Sequence, residues 1–128
     1  MPRATQLTVC LENKPGQIAT LGDVLRRAKV NILALSVVDN TDAGVIRLVT
    51  DSSAKAAQAL TRAGMKPTRQ SVLVLHLPNK PGALAAAAAK LARARININY
   101  TYGSVPRTAA EGMVVFSVDK LAQALRVT

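Results

Sequence analysis

Asn13-Lys14-Pro15-Gly16 returns 66 positions later as Asn79-Lys80-Pro81-Gly82, each time between a short apolar strand pattern and a helical one. At the same offset Leu7, Leu11, Ala19, Leu25, Arg27 and Ala28 recur as Leu73, Leu77, Ala85, Leu91, Arg93 and Ala94, and Asn31-Ile32 recurs as Asn97-Ile98. Identity that runs through a strand, a loop, a helix and the entry to a second strand marks an internal duplication. The 128 residues therefore read as two small domains, 5–70 and 71–128, with no linker between them.

Working outward from the first copy, Gln6 to Glu12 alternates Leu7, Val9 and Leu11 against polar neighbours, the period of a half-buried strand. Ile18, Leu21, Leu25 and Ala28 then recur at helical spacing. Val30–Val38 and Val45–Thr50 read as a hairpin about the turn residues Asp39–Gly44. Asp51, Ser52 and Ser53 offer an N-cap to a helix through Ala63, Gly64 sits at its C-terminal cap, and Met65–Arg69 reads as a closing strand. The order β-α-β-β-α-β is the ferredoxin-like arrangement, an α+β fold in which two helices cover one face of an antiparallel sheet. Two such units, side by side, are expected. The second unit stops at Val127-Thr128, where its fourth strand is due, so it is read as truncated at its last strand. A missing fourth strand implies an open sheet edge, and with each half too small to be comfortable alone a homodimer or larger assembly is expected.

The chain carries 17 Lys and Arg against 7 Asp and Glu, a formal net charge of +10. That balance suits an anionic partner, but the basic residues are dispersed and not interleaved with aromatics, which argues against a nucleic-acid platform. Cys10 is the single cysteine, which excludes an internal disulfide, fits a reducing compartment and reads as a small buried hydrophobe. The longest apolar run, Ala83 to Ala89, is far short of a membrane span, so a cytoplasmic location without membrane contact is expected. One histidine, few acids and no paired Cys or His spacing are a poor supply for catalysis or for a metal, so neither an enzyme nor a cofactor is expected.

The repeated tetrapeptide suits an anion. Proline tolerates the start of a helix, glycine leaves room for a ligand to approach the backbone, and the first-turn amides of Gly16, Gln17 and Ile18 are free for a carboxylate at the positive end of the helix dipole. Asn13 adds an amide that both donates and accepts, which fits an α-amino acid. The same residues also make a good turn and helix start.

Strand, Asn-x-Pro-Gly-x-[Ile/Leu]-Ala, helix and then Asn-Ile at the second strand resembles the ACT domain, a small-molecule-sensing module of amino-acid metabolism, and both copies together span nearly the whole chain. The resemblance implies modules paired side by side with an amino acid at the seam, and a regulated enzyme as a further partner. Carried over by motif, Asn13, Pro15, Gly16, Gln17 and Ile18 would face Asn97 and Ile98, while Asn79, Pro81, Gly82, Ala83 and Leu84 would face Asn31 and Ile32. Serine-sensing members carry a histidine two residues before the asparagine, where this chain has Leu11 and Leu77, so an aliphatic or aromatic amino acid is favoured over serine. His76 falls on the opposite strand face and reads as structural; Tyr100 and Tyr102 read as packing. The rival readings are a nucleic-acid-binding protein on the same fold, or a purely structural oligomerisation module.

Overall fold

The computed structural model describes residues 2–39 and 43–128. Along the chain lie β1 (Arg3–Leu11), α1 (Gln17–Arg27), β2 (Ile32–Asp39), β3 (Gly44–Thr50), α2 (Ser53–Arg62), β4 (Thr68–Pro78), α3 (Ala83–Arg93), β5 (Ile98–Ser104), β6 (Glu111–Val118) and α4 (Leu121–Val127). This is the α+β order read from the sequence. Asn40, Thr41 and Asp42 of the expected turn lie outside the described residues. The chain divides into two compact units: Thr5–Gln70, and Ser71–Thr128 together with the N-terminal residues through Ala4.

In the first unit the strand order is β2-β3-β1-β4, with the Thr68–Gln70 end of β4 in the fourth place. β1 pairs antiparallel with β3 from Gln6↔Val49 to Leu11↔Gly44, and β3 pairs antiparallel with β2. The strand periodicity sends Leu7 and Val9 of β1 to one face, where Leu21 and Leu25 of α1 and Ala56, Ala57 and Leu60 of α2 bury them. Met65, just past α2, closes this core. Cys10, on the other face of β1, is exposed, so the expectation of a buried cysteine is corrected: the alternation that buries Val9 turns its neighbour outward.

In the second unit β6 pairs with β4 from Leu73↔Phe116 to Pro78↔Glu111, and β5 pairs with β6. Its core is smaller, with Leu73, Leu91, Ile96, Val114, Phe116 and Ala124 buried and Leu75 and Leu77 packed against them. The chain has no strand after α4, as read. The place beside β4 is nevertheless filled in part, because β1 begins at Arg3 instead of Gln6 and the Val74 N–H donates to the carbonyl of Pro2 at 2.6 Å. The open-edge argument for a dimer therefore fails at Val74. A second correction concerns β4. Met65–Arg69 and Ser71–Leu77 were expected as separate strands, but Thr68–Pro78 is one, since no glycine or proline interrupts it.

α1 and α3 both end on a residue in the left-handed region that is not glycine: Lys29 at φ 59° and Arg95 at φ 58°. The amides that follow, Val30 to Leu25 O and Ile96 to Leu91 O, make the long bonds of a Schellman turn. α2, by contrast, ends on Gly64 at φ 82°. Each non-glycine left-handed residue costs about 1 kcal/mol. Lys29→Gly and Arg95→Gly are accordingly expected each to raise unfolding free energy by about that amount, read as a higher urea midpoint with an unchanged slope.

Candidate functional site

The two Asn-Lys-Pro-Gly loops take the same shape. Gly16 and Gly82 are the N-caps of α1 and α3 with φ 91° and 87°, and neither helix receives a side-chain cap. A Cβ at either glycine would meet no protein atom within 4 Å, so within the protein it is the positive φ that calls for glycine here. Inside each loop the first helical amide reaches back weakly, Gln17 N–H to Lys14 O at 3.5 Å and Ala83 N–H to Lys80 O at 3.3 Å. Among the described residues the next two amides of each helix, Ile18 and Ala19 or Leu84 and Ala85, have no protein acceptor. They point out of a helix start, where partial positive charge gathers.

The two asparagines hold the loops down. Asn13 Nδ2 donates to Asp39 Oδ1 at 2.7 Å, fixing the loop to the end of β2. Asn79 Nδ2 lies among the carbonyls of Pro106, Arg107 and Ala109 at 3.3, 3.4 and 2.8 Å and clasps the connection between β5 and β6. Both copies thus spend the amide donor inside the unit and leave the helix start facing outward.

Asn31 and Asn97 sit at the opposite ends of their sheets. The Asn31 N–H donates to Asp51 Oδ1 at 3.0 Å while the Asp51 N–H donates back to Asn31 O, and Asn97 repeats this with Asp119. Ile32 and Ile98 pack against the cores beside them. Register confirms the separation within a unit: Ile98 opposes Val118, whereas Leu77, just before the second loop, opposes Gly112. Within one unit, then, the structure does not bring the loop residues to the Asn-Ile pair.

What it brings to the second loop is β5. A groove of about 730 Å³ runs between Asn79, Gly82, Ala83 and Leu84 on one side and Thr101 to Val105 on the other, with Leu77 and Val114 among its walls. Pro81 is exposed and does not line this groove. Tyr102, read from the sequence as packing, is half-buried and lines this groove, and Thr101 is steadied by its hydroxyl donating to Val115 O at 2.8 Å. The sequence reading missed Thr101–Val105; the signal lay in the repeat offset, which sets these polar residues against Leu35, Ser36, Val37 and Val38 of the first copy. His76 is exposed, so a core role is not what the structure gives it; Leu75 and Leu77 on either side turn inward. Remote from the loops, the Arg26 hydrogen bond, then the charges of Arg26 and Arg27, hold the Asp23 carboxyl below its usual range. Among the described residues no three His, Cys, Asp or Glu side chains converge, and no helix is long and apolar enough to cross a membrane.

Comparison with known proteins matches residues 3–128 to a family described as the ACT domain pair. The chain is similar in structure to protein BT0572 from Bacteroides thetaiotaomicron, with 28% identity, 98% of this chain and 86% of that one covered, and a TM-score of 0.91. It shares its fold with the regulatory subunits of aspartate kinase from Thermus thermophilus (14% identity, 97% and 89% covered, TM-score 0.70) and Thermus flavus (16%, 99% and 90%, 0.64). No curated protein matches.

Proposed function

The chain belongs to the ACT domain pair family, and from that premise we propose that it is a non-catalytic regulatory protein that binds a free L-α-amino acid. The observation that carries this reading is the groove of about 730 Å³ with a helix start at one wall and unbonded amides at Leu84 and Ala85. The ligand carboxylate meets those amides, its ammonium meets carbonyl oxygens of the Thr101–Ser104 strand, and its side chain lies over Leu77, Val105 and Val114. An apolar wall favours an aliphatic or aromatic amino acid over serine. The first copy offers the same helix start through Asn13, Pro15, Gly16, Gln17 and Ile18, and the Asn31-Ile32 and Asn97-Ile98 pairs complete such sites when modules meet. The regulatory setting of the Thermus subunits supports a role in controlling an enzyme.

A thermal-shift screen of the twenty amino acids tests the reading. A ligand at a hundredfold excess over its dissociation constant adds about 2.7 kcal/mol to stability. Asn79→Ala, which frees the Pro106–Ala109 connection, should cost the unliganded protein about 1 kcal/mol and abolish the ligand-induced rise. No rise with any amino acid at about 1 mM, together with a salt-dependent rise with RNA or DNA, would overturn the proposal in favour of a nucleic-acid binder.

A separate observation favours a homodimer through β2. This outermost strand of the first unit exposes Leu33, Leu35, Val37 and Val38 at 49%, 41%, 49% and 48%, whereas the corresponding positions of β5 are Asn99, Thr101, Gly103 and Ser104. β2 carries no Lys or Arg in a chain of charge +10, so two copies approach there without the repulsion met elsewhere. Antiparallel pairing about Leu35 sets Leu33 against Val37 and Asn31 against Asp39 of the other copy.

A further inference from the structure

A second groove, of about 560 Å³, lies in the Ser71–Thr128 unit on the other side of the Pro78–Gly82 loop. Its floor is apolar and low, with Leu77 of β4 beside Ala83, Ala86 and Ala87 of α3. The repeat explains the depth. At the same places the first copy carries Gln17, Thr20 and Leu21, and each is bulkier than the alanine that replaces it.

One side of this groove is a strand edge with a free peptide group. The Val74 N–H turns to Pro2 O while the Asn79 N–H turns toward the β6 side, to Ala110 O. In an antiparallel ladder the direction alternates residue by residue, so the N–H and C=O of His76 point away from β6. Among the described residues no strand lies against β4 past Val74 on that side, and the His76 N–H has no acceptor. An extended chain laid alongside pairs with a donor and an acceptor spaced in this way, in place of solvent.

The charged side chains that line the groove, Lys80 and Lys90, are of one sign, no Asp or Glu side chain lines it, and among the described residues neither lysine is in an ion pair. Thr128 closes one end with its hydroxyl already donating to Ala124 O at 2.7 Å.

We propose that this groove docks an extended acidic segment of a partner protein, which adds a strand beside His76, lowers one apolar side chain over Ala83, Ala86 and Ala87, and sets carboxylates against Lys80 and Lys90. In an extended chain every second side chain shares a face, so the pattern recognised is acid, any residue, aliphatic, any residue, acid. The proposal does not rest on the amino-acid reading, although Leu77, Lys80 and Ala83 line both grooves.

The test is a titration of the ¹⁵N-labelled full chain with the blocked peptide acetyl-Glu-Thr-Leu-Thr-Glu-amide. The His76, Ala83 and Ala86 amides should move together, half-saturating at about 100 µM, a value within reach of weak strand addition. Ala86→Glu, which fills the floor, and Lys90→Glu, which reverses a wall charge, should each weaken binding at least about tenfold. Both positions are exposed on α3, and unchanged spectra elsewhere will show that the fold is intact. Exchanging the two Glu of the peptide for Lys should weaken it equally. A His76 amide that stays still at about 5 mM acidic peptide, equal binding of the basic peptide, or movement of these amides with single-stranded RNA instead, would each overturn the proposal.

Discussion

Leu35→Asp combined with Val37→Asp is expected to convert a dimer into a monomer, raising the dissociation constant at least about a thousandfold. The two side chains are 41% and 49% exposed in the single chain, so a symmetric interface covers roughly half of each, four in all. At about 25 cal/mol per Å² of apolar surface, each half-covered side chain contributes about 1 kcal/mol, and about 4 kcal/mol corresponds to that factor. Four carboxylates set facing one another add repulsion. Sedimentation equilibrium at about 100 µM reads the outcome. Because both residues already face solvent, the circular dichroism of the variant should match the parent. The control is Thr101→Asp at the corresponding place in β5, which should leave the association untouched. A parent that sediments as a monomer, or a double variant that remains a dimer, would remove the β2 interface from consideration.

Phe116→Ala should cost about 3–5 kcal/mol, the range for truncating a buried aromatic side chain. Phe116 is fully buried and is the largest member of a core cluster of only six buried residues, set between Leu73 of β4 and the helices. Typical domain stability is about 5–15 kcal/mol, so the Ser71–Thr128 unit is brought near its unfolding midpoint at room temperature. The same loss in the other core, through Leu60→Ala, is expected at the lower end of about 2–5 kcal/mol, because eleven buried residues there can close on the space. Urea unfolding of the two variants separates the cases. A loss below about 1 kcal/mol for Phe116→Ala would mean that the smaller cluster is not what holds its unit together.

Much of this was legible in the sequence because the duplication supplies each reading twice. The strand alternation of Leu7, Val9 and Leu11 and the helical spacing of Leu21 and Leu25 identify the surfaces that pack, and a second copy with the same spacing leaves little room for another fold. The loops too were readable, since a glycine after proline at a helix start signals a turn whatever it binds. The rest was not, for physical reasons. Propensity does not say where a strand stops when no breaker interrupts it, so β4 ran on through Gln70 and β1 began early at Arg3. The side-chain partners of Asn13 and Asn79 are Asp39 and the Pro106–Ala109 carbonyls, 26 to 30 positions away, a pairing set by sheet register and not by local sequence. Cys10 shows the limit of composition: cysteine is usually buried, but its place in the alternation decided otherwise.

The Pro78–Gly82 loop is a wall common to both grooves of its unit. It is a stiff partition: Pro81 fixes one backbone angle, Gly82 is held in the left-handed region, and Asn79 is clasped to three carbonyls. A thin wall of this kind cannot yield to one side without moving on the other. Whatever fills one groove therefore changes the work of filling its neighbour, and thermodynamic reciprocity requires the change to be equal in both directions. An occupant that presses the wall outward competes with the other, and one that draws it inward assists, through the loop and through Leu77 and Ala83, which line both grooves.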